Sequence, residues 1–445
     1  MIPSRYNQIT PLEENSFAIF NPLSGAFDIA DEETKNAFQR GLPPSPEEKE
    51  AWLSRGYFFE TPAEEKMYLA SRYEEFLKET EKNQSQFLII LSYGCNFRCA
   101  YCYQKGIETR EALLSEEMLR AFVQYVRDYR DENNKEVTVS LFGGEPLLPA
   151  YRERISLLIE LLGENHIPLS VVTNGYHLEE YVDLLKRASI QEIHVSLDGD
   201  QSVHDLRRFP KEGEGSFEKI MKGISKAIDA GFPLHVRLII DRITLETLPA
   251  LAEKFESRGW LDLPKNLFKT SFGRNYELIN ASTSPENLFA QDEMYAAYVE
   301  KMKKHPLLQK LHQPSFFGIT QMIRGGEMYL PSFDTCPGAK SEFVCDQSGQ
   351  IFSCTASCGR EGYAIGRYFP EVVFDREALK KWQMRSILTI DKCRDCSVGV
   401  VCGGGCAVLA KEKSGDLLAP NCKPVKEVMD LGIRFYKEVL LEGKK

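Results

Sequence analysis

What the chain lacks narrows its class first. Nowhere in its 445 residues does an apolar run approach the roughly 18 residues a membrane helix needs, so no membrane is expected as a partner. Met1 to Ser16 carries neither the basic nor the apolar region of a secretory signal, which points to a cytoplasmic chain. Positive charge is not in excess. The formal net charge is −10, which argues against a nucleic acid as the main partner. No low-complexity segment or internal repeat stands out. Cysteine is missing from residues 1–94 and again from 103–335.

What is present has the balance of a soluble globular protein, with 43% hydrophobic and 27% charged residues. The length exceeds one ordinary core, so two or three domains are expected. Twelve cysteines in a cytoplasmic chain suggest metal binding rather than disulfides. Three fall at 95, 99 and 102, and the other nine lie between Cys336 and Cys422. Scattered core cysteines would not cluster in this way.

Residues 1–84 read as a small N-terminal α+β module, winged and of a peptide-recognition type. Segments 17–20 and 26–29 flank a Pro22/Ser24-Gly25 turn, as in a hairpin. Segments 32–40 and 45–55 look helical, with Pro46 suited to a first turn and Gly56 to a helix end. Residues 57–59 suit another strand, and 64–83 a charged connecting helix. Such a module either packs as an appendage or docks a peptide by strand addition.

From 85 to 330 the pattern alternates. Strands are expected at 87–92, 137–142, 169–173, 192–197, 235–240 and 267–272, with helices at 115–130, 151–162, 178–188, 216–230 and 246–258. Buried-type strands alternating with helices imply a parallel α/β sheet, here an open, partial (β/α)6 TIM-like barrel. The chemically useful residues fall where these strands end. Cys95 follows the first, Gly143-Gly144-Glu145-Pro146 the second, Thr173-Asn174-Gly175 the third, and Ser196 with Asp198-Gly199 the fourth. In parallel barrels that rim forms the active site. Segments 291–304 and 317–324 look helical and close the barrel's side. Beyond 331 the composition turns to short strands, Gly-rich turns and cysteines, with a hairpin at 344–354 and a final helix at 424–441.

The C-x3-C-x2-C spacing of Cys95, Cys99 and Cys102 turns three thiols toward one small object. Three ligands on a four-iron cluster leave one iron open, and an open metal position permits chemistry. With Tyr101 before the last cysteine, this stretch resembles the signature of the radical S-adenosylmethionine (SAM) enzymes. The resemblance implies a [4Fe–4S] cluster on Cys95, Cys99 and Cys102 that binds and reductively cleaves S-adenosylmethionine. It also implies contacts to that cofactor. Gly143, Gly144 and Glu145 would take its ammonium, and Thr173, Asn174 and Ser196 its ribose. Arg208, closing His204-Asp205-Leu206-Arg207-Arg208, would take its carboxylate, and Tyr101 would lie beside its adenine.

The second array, Cys393-x2-Cys396-x5-Cys402-x3-Cys406 and then Cys422, with Cys336 ahead of Gly349-x4-Cys354, resembles the SPASM extension of that family. It implies a C-terminal iron–sulfur domain over 331–445 with two auxiliary [4Fe–4S] clusters. Cys393, Cys396, Cys402 and Cys422 would hold one. Cys336, Cys354 and Cys406 would serve the other, completed by Cys345 or Cys358. A hairpin that sets Cys345 across from the Cys354 strand favours Cys345. Structural zinc is the competing reading of this array, since C-x2-C and C-x3-C both suit it.

The function expected is that of a peptide-modifying oxidoreductase. It would mature a ribosomally made precursor peptide, bound through its leader by residues 1–84, by a thioether, carbon–carbon or related oxidation. Flavodoxin or ferredoxin would supply electrons. Sulfatase maturation, oxidising Ser or Cys to formylglycine, is the alternative. In that subfamily an Asp follows the cysteine of Gly-x4-Cys, whereas Thr355 follows Cys354 here. A non-enzymatic iron–sulfur carrier is the third reading.

Overall fold

The computed structural model describes residues 1–104, 107, 112–213, 215–274, 285–326, 328 and 330–442. The N-terminal segment opens with three antiparallel strands, β1 (Gln8–Glu13), β2 (Ser16–Asn21) and β3 (Ala26–Ala30), in the order β1-β2-β3. β1, which the sequence pattern does not reveal, pairs with β2 through a register shift between Pro11 and Glu13. Asp31 caps the next helix, Glu32–Arg40, by accepting from the Thr34 amide, and Ser45 caps Pro46–Ser54 in the same way. Their apolar residues converge on Phe38, whose ring meets Trp52, Tyr57 and Phe58 edge-on at 5.0–5.3 Å. Phe58–Phe59 pairs with Ile2–Pro3. This small core does not stand apart from the rest. Thr10 donates to Asp430 at 2.5 Å and Arg5 pairs with Asp395 at 2.5 Å, so the segment rests on the C-terminal region.

Among the described residues, the central sheet has ten strands. Six come from the alternating part of the chain: β4 (Ser85–Ile90), β5 (Val137–Phe142), β6 (Leu169–Thr173), β7 (Ile190–Leu197), β8 (Leu234–Ile240) and β9 (Phe268–Arg274). All six run parallel in sequence order. Helices that bury one stripe cover the outer face. Glu116–Asn133, capped by Ser115, buries Leu119, Phe122, Val123 and Val126 at helical spacing. Along β7, Ile193, Val195 and Leu197 are fully buried, while Glu192, His194 and Ser196 on the alternate face are only partly so. One face of each strand thus packs on helices and the other lines the barrel's interior.

The sheet does not stop at β4. Residues 344–354 were expected to form a hairpin in a separate region. The hairpin's first strand, β10 (Glu342–Asp346), instead pairs parallel with β4, Glu342 opposite Gln86 through Asp346 opposite Ile90. β11 (Gln350–Phe352), β12 (Ala364–Arg367) and β13 (Val373–Phe374) continue it antiparallel. The cysteine-rich region is therefore stitched to the barrel's first strand. Two helices, Val425–Phe435 and Lys437–Glu442, replace the single final helix expected. Among the described residues, no helix is long and apolar enough to cross a membrane.

Candidate active site at the barrel rim

The loop after β4 carries Cys95, Cys99 and Cys102 and is held from both sides. Gly144 and Glu145 donate their amides to the Ser92 and Gly94 carbonyls. A Cβ at Gly144 would lie 2.1 Å from the Gly94 oxygen, so no other residue lets the second strand end this close. On the other side Arg98 donates its amide to Phe209, and Lys211 to Asn96. All three cysteines open onto one cavity of about 390 Å³, within the range of small-ligand sites. Gly143, Gly144, Thr173, Asn174, Ser196, Tyr101 and Arg208 line it too. From the C-terminal region Thr355, Ala356, Cys406 and Leu409 also line it.

The rim is wired by buried polar groups. The Tyr101 hydroxyl donates to Asp198 at 2.5 Å and accepts from Arg208 at 2.6 Å. Arg207, adjacent to Arg208 in sequence, is not solvated either. It pairs with Asp198 at 3.2 Å and Asp241 at 2.7 Å, with its guanidinium 5.2 Å from the Tyr101 ring. Asp198 stands out in the sequence only as a strand-end residue, and Asp241 does not stand out at all. Only the fold shows them as the counter-charges that hold two arginines inside the protein.

Glu145 sits behind the cavity lining. It is fully buried and does not reach the cavity wall. One carboxylate oxygen accepts from Thr173 Oγ1 at 2.5 Å and the Leu147 amide, and the other accepts from the Asn174 amide at 2.6 Å. The carboxylate thus clamps the ends of β5 and β6 together. Burial raises its pKa, and the bonds from Thr173, Asn174 and Leu147 partly offset this.

The thiols suit a metal. Burial, with the Glu145 charge nearby, pushes Cys95 up to about 12, and burial also raises Cys99. As bare thiols both stay protonated at neutral pH, and a coordinated cation is what deprotonates such groups. Several buried polar atoms close by have no partner among the described residues: Asp198 Oδ1, Asn96 Nδ2 and Arg208 Nε. An acceptor and two donors left open beside a cavity suit a ligand bearing both charges and hydroxyls.

The C-terminal cysteines fall into two neighbourhoods. Cys393 feels Cys402, Cys396 and Cys422, while Cys336 feels Cys354 and Cys406. Cys345 joins neither, which corrects the hairpin argument. In the actual register Cys345 faces Ile351, so Glu342, not Cys345, shares a face with Cys354. A one-residue difference of register puts a side chain on the opposite face. Cys345 is fully buried in the layer beneath Tyr125 and Tyr368. Cys358 is the surplus cysteine beside Cys354, with its thiol on the Thr355 carbonyl.

Sequence reading also missed Arg385. It is 1% exposed and donates to the carbonyls of Leu417, Ala419, Gly404 and Gly405 at 2.6–3.3 Å. Its charge lies among Cys336, Cys393, Cys406 and Cys402. Gly403-Gly404-Gly405 all take positive φ, and a Cβ at Gly405 would lie 2.1 Å from the Asn421 oxygen. The three glycines let the chain fold tightly enough for one arginine to collect those carbonyls.

The fold is thus a partial parallel barrel with three cysteines on the loop after its first strand, facing a cavity at the strand ends. Residues 89–255 match the model of the Radical SAM superfamily, and that stretch carries both the three-cysteine loop and the rim residues. In sequence it is similar to a probable GTP 3′,8-cyclase of Methanococcus maripaludis, 31% identical over 38% of this chain and 53% of that protein. A probable GTP 3′,8-cyclase of Saccharolobus solfataricus is 26% identical over 50% and 67%. The chain spans about half the length of the first of these relatives. In fold it resembles native anSMEcpe with bound AdoMet, with TM-score 0.62, 18% identity, and 80% and 98% of the two chains covered. It also resembles Streptococcus suis SuiB bound to the precursor peptide SuiA, with TM-score 0.57, 15% identity, and 95% and 99% covered. The cysteine-rich C-terminal region resembles the SPASM auxiliary-cluster region of these structures.

Proposed function

We propose that this protein is a radical SAM oxidoreductase that oxidises a residue of a peptide or protein. The observation that carries the reading is the shared cavity, lined both by Cys95, Cys99 and Cys102 and by Thr355, Ala356 and Cys406. A substrate there lies between the two cysteine-bearing regions. In this reading Cys95, Cys99 and Cys102 hold a [4Fe–4S] cluster. Such a cluster would supply one-electron chemistry to a bound S-adenosylmethionine, the source of hydrogen abstraction from the substrate.

The chain's own groups then orient the cofactor. Arg208, fixed through Tyr101, offers its guanidinium to a carboxylate. Asp198 Oδ1 remains free for a donor, and the Gly143-Gly144 backbone with Thr173, Asn174 and Ser196 gives polar contacts along the wall. Glu145 acts behind them by holding Thr173 and Asn174 in place. Cys393, Cys396, Cys402 and Cys422 form one auxiliary site, and Cys336, Cys354, Cys406 and Cys358 the other. Residues 1–84, 85–330 and 331–445 serve as recognition, radical and auxiliary units, with flavodoxin or ferredoxin as electron donor.

Two chemistries compete. Oxidation of a single side chain, of the sulfatase-maturing kind, has the stronger support. The anSMEcpe structures give the higher TM-scores, and two of them hold peptides designated Kp18Cys and Cp18Cys. Thr355 in place of an acidic residue means that any proton acceptor for that oxidation lies elsewhere. Cross-linking of a precursor peptide is the second reading. It is favoured by the SuiB–SuiA likeness over 95% of the chain and by the outer edges of β1 and β3, which pair with no strand among the described residues and where a leader strand could add. The cyclase likeness is confined to part of the chain and supports the radical domain rather than a nucleotide substrate.

Anaerobically reconstituted, reduced protein should convert S-adenosylmethionine to 5′-deoxyadenosine. Intact clusters without that product would leave the iron–sulfur carrier reading. A peptide substrate then separates the two chemistries. A new hydrazide-reactive aldehyde marks side-chain oxidation. Loss of a hydrogen pair without an aldehyde marks a cross-link.

A further inference from the structure

We propose that Glu192, His194 and His235 bind a divalent first-row transition metal, with zinc as the reference ion, inside the barrel one residue layer below the rim cavity. This does not depend on the radical chemistry. The position follows from strand alternation. Glu192 and His194 share the inner face of β7 with Ser196, and His235 shares that of β8 with Arg237 and Ile239. Ser196, Arg237 and Ile239 line the cavity. The parallel register sets His194 beside His235 and His235 beside Lys269. Two residues along a strand span roughly 6–7 Å, so the cluster sits directly beneath the cavity.

The donor atoms converge. Glu192 Oε2 lies 2.8 Å from His194 Nε2 and 3.2 Å from His235 Nδ1, and each of the three residues offers a ligand atom within 4.8 Å of the others. Ligands around a tetrahedral zinc with bonds of about 2.0–2.1 Å stand roughly 3.3 Å apart. The imidazole rings, with centroids 4.7 Å apart, meet the same carboxylate oxygen. The other oxygen, Oε1, is taken by Lys269 Nζ at 2.5 Å. That division of labour is the one a ligating carboxylate shows, with one oxygen for the ion and the other held by an outer partner. His235 Nε2 is buried with no partner among the described residues, so that ring's single polar attachment is the converging Nδ1.

Two imidazoles and one carboxylate suit zinc, iron or manganese rather than calcium or magnesium. The side chains of Glu192, His194 and His235 are 18–31% exposed, which leaves room for further ligands such as water or a substrate group. The chemistry open to such a site is Lewis-acid binding of a substrate carbonyl, carboxylate or water. Nothing in the sequence pattern signals it, because the three residues come from two strands more than forty positions apart.

The competing account is a carboxylate hydrogen-bonded to two histidines and a lysine, with no ion. Full-length protein, reconstituted anaerobically with iron and sulfide so that its cysteines are occupied, would be equilibrated with zinc chloride and desalted. Metal analysis should find about one zinc per chain. Glu192→Gln, His194→Asn and His235→Asn should each lose it. Lys269→Met should bind it about 10–100-fold more weakly. X-ray absorption at the zinc edge should show nitrogen and oxygen neighbours only. Circular dichroism selects the variants that fold, and Lys269→Met, which removes no proposed ligand, tests the site without depending on them. Absence of stoichiometric zinc in the wild type, zinc bound through sulfur, or zinc retained by the folded ligand variants would overturn the proposal.

Discussion

The rim cysteines and the C-terminal cysteines show two ways to assemble a thiol site. Cys95, Cys99 and Cys102 ride on one short loop, whose shape is set by backbone bonds with Gly144, Glu145 and Phe209 at the barrel rim. The C-terminal group is gathered from a hairpin, a glycine turn and an exposed tail. A buried cation, Arg385, ties the glycine turn to the segment at 417–419 through four carbonyls. The first site needs little beyond its own loop and the barrel rim. The second depends on one side chain that is not a ligand. The difference teaches where each site is vulnerable, and it can be tested at both ends.

Replacing Cys99 by Ala should have the largest effect. It should reduce 5′-deoxyadenosine formation to background and remove about four of about twelve irons per chain, with the C-terminal iron retained. Loss of all the iron would mean that the two sites are not independent. Arg385→Leu should act at the other end. Removing one partner from a buried charged network costs on the order of 3–5 kcal/mol, read as a lower denaturation midpoint. Alkylation should speed up at Cys402, Cys406 and Cys422 but not at Cys95 or Cys99. Equal protection at both groups would break the comparison.

A finer test concerns membership of the C-terminal group. Cys358→Ala should lower its iron content, whereas Cys345→Ala should leave the iron unchanged and cost only local packing. The reverse result would restore the hairpin argument. The smallest effect belongs to neither group and gives a baseline for both. His312 packs on Phe272, with ring centroids 4.0 Å apart, and burial pushes its pKa down to about 4. A histidine depressed in the folded state gives its full stability above the ordinary value near 6.5. That stability is lost as pH falls from 6.5 towards 4, by at most about 3 kcal/mol. Thermal melts of His312→Leu should lack this slope over the same window.

Much of the barrel was legible because its signal is local. β5 and β6 fall at the residues the apolar runs mark, and the other strands differ by a few positions at their ends. The spacing of Cys95, Cys99 and Cys102 needs no tertiary knowledge either. β1 was missed because Thr10 and Pro11 interrupt its apolar pattern, and its partner strand, rather than its own composition, makes it extended. Cys345 was misplaced because two cysteines on facing strands share a side only in one register, and register is decided by pairing with β4.

The sequence by itself determined the order of strands and helices, the strand-end position of the rim residues and the presence of two cysteine arrays. Each is written in neighbouring residues. Tertiary structure alone decided which charges sit together. Asp198 and Asp241 balance Arg207 and Arg208, Arg385 gathers the glycine turn, Glu145 turns inward to hold two strand ends, and Glu192 meets two histidines beneath the cavity. Electrostatic and hydrogen-bond partners are chosen by distance in space. Distances between strands and loops far apart in the chain exist only once the sheet has formed.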